Sequence, residues 1–203
     1  MSSDRRFYLD YKSPYAYLAI EPTRALEREA GVKFVWLPYV LEIPLFLGTV
    51  EERNAHQWRR VRYSYMDARR LANRRGLIVK GPQKIFDSSL AAIGMLYAQR
   101  RGTFERYNDL VFERFWKREL DIEDRAAIAR VLEESGAPTT GFDDFVDGPG
   151  RAELKRIATT AEASGVFGVP TYVIDGEVFW GGDRLWMVRE KLAATGAAHP
   201  PKQ

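Results

Sequence analysis

The 203-residue chain has no cysteine, and that one absence removes several chemistries at once. It can form no disulfide, hold no cysteine-ligated metal or iron–sulfur cluster and use no cysteine nucleophile, so any thiol chemistry must draw its sulfur from outside. Histidine is almost as scarce. His56 and His199 stand far apart, and His199 lies in a proline-containing tail, which argues against a histidine metal site or a Ser-His-Asp triad. No metal is therefore expected, and His56 reads as an ordinary helix-surface residue. No run approaches the roughly 20 apolar residues of a membrane span. The charge imbalance is small: 31 Lys and Arg against 28 Asp and Glu leave +3, which tolerates an anionic ligand but is a weak sign of nucleic-acid binding. The segment Met1-Ser2-Ser3-Asp4-Arg5-Arg6 is charged and has no apolar signal-peptide core, so a cytoplasmic location is expected.

What is present has a definite order. Phe7 and Leu9 alternate in a strand near Arg6–Tyr11, a helix is predicted over Pro14–Ala30, Gly31 suits its C-cap, and Val32, Phe34 and Trp36 mark a second strand near Lys33–Tyr39. That is a βαβ unit with parallel strands. From about Leu41 to Ser164 strand signals vanish. Helical periodicity runs through Glu51–Arg75, Ser88–Arg101, Phe104–Lys117, Glu123–Ser135 and Gly150–Ala163, separated by glycine and proline turns such as Gly136-Ala137-Pro138 and Gly148-Pro149. Strand pattern returns at Val169–Ile174, Asp175-Gly176 signals a hairpin, a strand continues through Glu177–Trp180, and a helix over Arg184–Ala194 carries Leu185, Val188 and Leu192 on one face. The fold class is α/β: a βαβ…ββα core from residues 1–40 and 165–203, with residues 41–164 inserted as an all-helical subdomain.

Ser13-Pro14 opens the first helix directly after a strand. Serine is a good N-cap, proline loses nothing at the first helical position, and the hydroxyl is thereby placed at an anion-attracting helix terminus. On the Ser-Pro pair alone, Ser13 is only a cap. The order of elements resembles the thioredoxin fold with a helical insertion found in disulfide-oxidoreductase A-like proteins. Within that superfamily, Ser13-Pro14-Tyr15-Ala16-Tyr17-Leu18-Ala19, Gly165-Val166-Phe167-Gly168-Val169-Pro170-Thr171 and Phe179-Trp180-Gly181-Gly182-Asp183-Arg184-Leu185 together resemble the 2-hydroxychromene-2-carboxylate isomerase and kappa-class glutathione transferase family.

The resemblance implies a glutathione-dependent enzyme in which serine replaces the reactive cysteine and the tripeptide supplies the sulfur. Ser13 would be the catalytic residue, its hydroxyl donating to the glutathione thiolate. The residues alone leave Pro170 as either a trans edge-strand proline or a cis one. The resemblance implies cis, with Val169 offering its backbone to the cysteinyl part of glutathione. Asp183 is either another N-cap or the partner of the γ-glutamyl ammonium, with Gly182 and Arg184 making backbone contacts to the adjoining carboxylate. Asn54 and Arg60 are the candidates for the glycyl end, although Leu45–Gln57 lacks the family's usual Gly-Asn-Arg-Pro run and Asp87-Ser88 replaces its Asn-Ser pair. Tyr15 and Lys12 are candidate pocket residues. Lys12 differs from the apolar or small residue often found beside that serine, and on residue type alone it reads as a solvated lysine.

The activity implied is an isomerase acting on a conjugated aromatic acid by reversible thiolate addition. Alternatives are a kappa-like transferase that conjugates electrophiles and a glutathione-binding or chaperone-like module without turnover. A homodimer is also implied. The arginines of Arg59–Arg75 spread over several helix faces around an apolar stripe of Trp58, Val61, Tyr65, Ala68 and Ala72, a packed helix with a solvated basic surface rather than a nucleic-acid motif.

Overall fold

Phe7, Tyr8 and Leu9 have no exposed surface, and this apolar run forms one of the two inner strands of the sheet. The computed structural model describes residues 4–195; His199, the segment Met1–Ser3 and residues 196–203 of the expected core lie outside them. Strand β1 (Arg5–Leu9) is followed by helix α1 (Pro14–Ala30) and strand β2 (Val35–Pro38), which pairs with β1 in parallel. Strands β3 (Thr171–Ile174) and β4 (Glu177–Trp180) form the C-terminal hairpin, and β3 lies antiparallel to both β1 and β4. The sheet order is β2-β1-β3-β4. At the hairpin, Asp175 (φ 49°) and Gly176 (φ 83°) both take the left-handed conformation that a tight two-residue turn demands.

Helix α1 buries Ala16, Ala19, Thr23, Leu26, Glu27 and Ala30, a stripe at helical spacing. Gly31 closes it with φ 63°, donating its N–H to the Glu27 carbonyl. Two buried polar side chains of the helix fix it against the sheet. Glu27 accepts from the Phe34 N–H at 2.7 Å and the Trp36 indole N–H at 3.2 Å, while the Thr23 hydroxyl meets the Tyr172 hydroxyl at 2.7 Å. Burial raises the Tyr172 phenol well above its ordinary pKa, and the Thr23 hydrogen bond offsets part of that shift. Phe7, Trp36 and Tyr172 pack as an aromatic cluster with centroid separations of 4.7 Å.

The chain divides into two compact units, one from the segments before Val40 and from Leu154 onward, the other Val40–Glu153. The second is helical: α2 (Ile43–Leu47), α3 (Ala55–Asn73), α4 (Ser89–Arg100), α5 (Phe104–Lys117), α6 (Arg125–Ser135), α7 (Phe142–Asp147) and the start of α8 (Pro149–Ala163). Its centre is α4, where Ala91 through Ala98 are all buried, as expected of a helix surrounded on every side. Gly94 lets Tyr107 approach, and the Tyr107 hydroxyl donates to the Ala91 carbonyl at 2.9 Å. The last helix is α9 (Leu185–Ala194), preceded by a 3-10 turn over Gly182–Arg184.

Several boundaries differ from the sequence expectation. Strand β1 stops at Leu9 rather than Tyr11 because Ser13 donates its N–H to the Asp10 carbonyl at 3.0 Å, closing a turn. Helix α3 starts at Ala55 rather than Glu51 because Asn54 and Gln57 form a reciprocal capping box. Helices α2 and α7 have only five and six residues, too short for periodicity to show. The division between units falls within α8, not at Gly165: Ile157, Ala161 and Val166 are buried after it, and Arg6 of β1 donates to the Ser164 hydroxyl at 3.1 Å.

Candidate functional site

The register of the sheet gathers the three motif segments at one end. Tyr8 pairs with Thr171, and Thr171 pairs with Trp180, so the exit of β1, the entry to β3 and the exit of β4 lie side by side. Those are the segments that carry Ser13, Val169-Pro170 and Gly182-Asp183-Arg184. A methyl group built on Gly182 would stand 3.5 Å from the Ala19 Cβ and 3.9 Å from the Pro170 Cγ, so α1, the proline loop and the 3-10 turn meet there.

Ser13 is 5% exposed and caps α1: its Oγ accepts from the Ala16 N–H at 3.2 Å. Accepting that bond leaves the hydroxyl hydrogen available to donate. The capping role and a role toward a ligand are therefore compatible in one side chain. The first N–H groups of a 17-residue helix lie beside it, with the positive end of the helix dipole.

The Val169–Pro170 peptide bond is cis. Pro170 accepts from the Gly181 N–H at 2.8 Å, and the Thr171 hydroxyl donates to the Gly168 carbonyl at 2.7 Å, which fixes the loop on both sides. Val169 precedes the ladder. Among the described residues no backbone hydrogen bond takes up its N–H or its carbonyl.

Asp183 does not cap a helix. Gly181 occupies the cap position of the 3-10 turn without a side-chain bond, Arg184 precedes α9, and the Asp183 carboxylate, 73% exposed, pairs with the Arg184 guanidinium. The capping alternative for Asp183 is thus corrected: Gly181, at φ 105°, stands at the cap position, and no side chain caps the turn.

Lys12 is a second correction. It does not extend into solvent as an ordinary surface lysine does: its side chain is 8% exposed, and its ammonium lies 3.6 Å from the carboxylate of Asp10, itself 1% exposed. Asp10 also accepts the Lys12 backbone N–H at 3.2 Å. Asp10 was not singled out from the sequence; an aspartate ending an apolar strand two residues before a lysine is the signal that could have found it. Tyr15, on the first turn of α1, is half-buried.

Asn54 and Arg60 belong to the helical unit. The Asn54 side-chain oxygen accepts from the His56 and Gln57 N–H groups, both at 2.9 Å, so it caps α3. Arg60 is exposed on the same helix, as is His56. That unit also holds a cleft of about 610 Å³ walled by Lys80, Lys84, Phe86, Phe115 and Arg118, which includes none of the residues nominated from the sequence. Among the described residues no cluster of three or more His, Cys, Asp or Glu is placed to hold a metal ion, and no helix is long and apolar enough to cross a membrane.

Known proteins resemble this chain over nearly its full length. The chain is similar to the 2-hydroxychromene-2-carboxylate isomerase of Sphingobium xenophagum, 28% identical over 181 residues that cover 88% of this chain and 92% of that protein. The Pseudomonas putida protein of the same name is 27% identical over 188 residues, 92% of each chain. Among solved structures, that of selenomethionine 2-hydroxychromene-2-carboxylate isomerase superposes with a TM-score of 0.78 at 25% identity, covering 95% of both chains. The family described as the DSBA-like thioredoxin domain matches residues 6–193, and the chain belongs to that family.

Proposed function

We propose that the chain is a glutathione-dependent isomerase of the 2-hydroxychromene-2-carboxylate type. The observation that carries this reading is a serine at the start of α1, at the sheet end that also carries the cis proline, in a chain with no cysteine and with isomerase-named relatives along most of its length.

The residues present fit a thiol tripeptide. Ser13 has a hydroxyl proton to donate beside a helix N-terminus, and both features favour an anion over a neutral thiol. Val169 has backbone groups outside the sheet ladder, suited to pairing with an extended peptide as an added strand would. Asp183 is an accessible carboxylate for an ammonium group, which would share it with Arg184. Gly182 packs the turn that carries Asp183 against Pro170 and Ala19, and its backbone contact to the adjoining carboxylate is assigned on the family resemblance.

When bound, glutathione would supply a thiolate nucleophile for reversible addition to a conjugated aromatic acid. Ser13 would donate its hydroxyl proton to hold that sulfur as an anion, and Val169 and Asp183 would hold the tripeptide's orientation.

Calorimetric titration with glutathione, followed by assay of 2-hydroxychromene-2-carboxylate isomerisation with and without it, tests the reading. Saturable binding and turnover that requires but does not consume glutathione are expected. Consumption of glutathione with a generic electrophile and no isomerisation would assign a transferase instead. Binding without any turnover would leave a glutathione-binding module.

A further inference from the structure

A lysine side chain that is mostly buried needs a counter-charge and hydrogen-bond acceptors for its ammonium, and Asp10 supplies the first without the second. With its side chain 8% exposed, the ammonium lies 3.6 Å from Asp10 Oδ2, close enough for charge pairing and beyond hydrogen-bond reach. The other carboxylate oxygen, Oδ1, is held by the Lys12 backbone N–H at 3.2 Å, so Asp10 is anchored while the three N–H donors of Lys12 are not committed to it. The Asp10 carbonyl accepts from the Ser13 N–H at 3.0 Å, so the pair is built into the turn that ends at the helix cap.

The kind of ligand follows from the charge balance. An ammonium backed by a carboxylate is nearly neutral from a distance and does little to the field at a sulfur atom; in contact, it donates a directional, charge-assisted hydrogen bond. We infer that Lys12 is the residue that selects an acid: its ammonium donates to the carboxylate of the conjugated aromatic substrate, and Asp10 holds it in position. This inference rests on the isomerase reading above and deepens it by assigning the substrate's charge to one side chain.

Titrating the protein with chromone-2-carboxylate and with its methyl ester, by calorimetry at pH 7, tests it without requiring turnover. The wild-type protein is expected to bind the acid roughly 10- to 100-fold more tightly than the ester, the range of one charge-assisted hydrogen bond. Lys12→Met should erase that preference and Lys12→Arg retain most of it. Because Lys12→Met removes a cation beside the buried Asp10 carboxylate and could fail to fold, the Asp10→Asn/Lys12→Met double variant, neutral at both positions, provides a second measure and should also show no preference. Absence of acid binding to wild type, equal binding of acid and ester, or a preference that survives Lys12→Met would each overturn the inference. So would a Lys12→Met variant that loses glutathione affinity by the same factor and keeps its acid preference, since the ammonium would then serve the tripeptide. A Lys12-dependent acid preference in a protein that neither binds glutathione nor isomerises would refute the function proposed above and leave this assignment standing.

Discussion

Replacing Ser13 separates its capping bond from the thiolate-stabilising role proposed for it. The capping bond, Oγ to the Ala16 N–H, is 3.2 Å long, so its loss in Ser13→Ala should cost about 0.5–1 kcal/mol, the lower part of the range for N-caps. Ser13→Gly should cost only a few tenths of a kcal/mol, because glycine tolerates the cap position. Both variants lose the hydroxyl. A hydrogen bond to a charged partner is worth about 1.5–3 kcal/mol, and one pKa unit corresponds to about 1.36 kcal/mol, so the bound glutathione thiol should rise by about 1–2 pKa units in either variant. Ser13→Thr keeps both the cap and the donor. Thiolate absorbance against pH in the glutathione-saturated protein reads the pKa, and urea denaturation reads the cap. The reasoning predicts that Ala and Gly shift the thiol equally while differing in stability. A bound thiol whose titration is the same in wild type, Ala and Gly would refute the role given to the hydroxyl, whatever the stabilities.

Three further outcomes follow from packing and burial. Glu27→Ala leaves the Phe34 N–H and the Trp36 indole N–H without their buried acceptor, and it should destabilise by about 2–4 kcal/mol in urea denaturation, with Glu27→Gln losing clearly less. Gly94→Ala would drive a methyl into the Tyr107 hydroxyl and to 3.0 Å from the Ile128 Cγ2, and an overpacking loss of about 1–3 kcal/mol should appear as a lower Tm. Burial pushes the Tyr65 phenol up to about 12 from an ordinary 10.0, with Arg53 offsetting part of the shift. Below pH 10 both folded and unfolded chains keep that proton; above it the unfolded chain releases its proton first, so stability should fall between pH 10 and 12, and Tyr65→Phe should flatten the fall in a urea-midpoint series.

Local rules carried much of this fold. The α1 boundaries, its Ser13 and Gly31 caps and the Asp175-Gly176 hairpin follow from signals within a few residues of each feature, and the structure has them where those signals put them. What local rules missed depends on partners elsewhere or on elements of one or two turns. Helices α2 and α7 are too short to display a period. Lysine is ordinarily solvated, and only the turn that folds Lys12 back on Asp10 makes it buried. Asn54 illustrates the converse: the capping box with Gln57 was present in the sequence, and it is the role the structure displays for the side-chain oxygen. The cis state of Pro170 could not be read from the residues alone, because the trans form is the common one; it came from the resemblance of three separated motifs.

The central claim is that Ser13, Val169 and Asp183 form a glutathione site. The most direct test is an electron-density map of crystals grown with glutathione. The account predicts the sulfur within hydrogen-bond distance of the Ser13 hydroxyl, the cysteinyl backbone paired with Val169 and the γ-glutamyl ammonium at Asp183. Glutathione bound elsewhere, or turned so that its sulfur points away from Ser13, would contradict it.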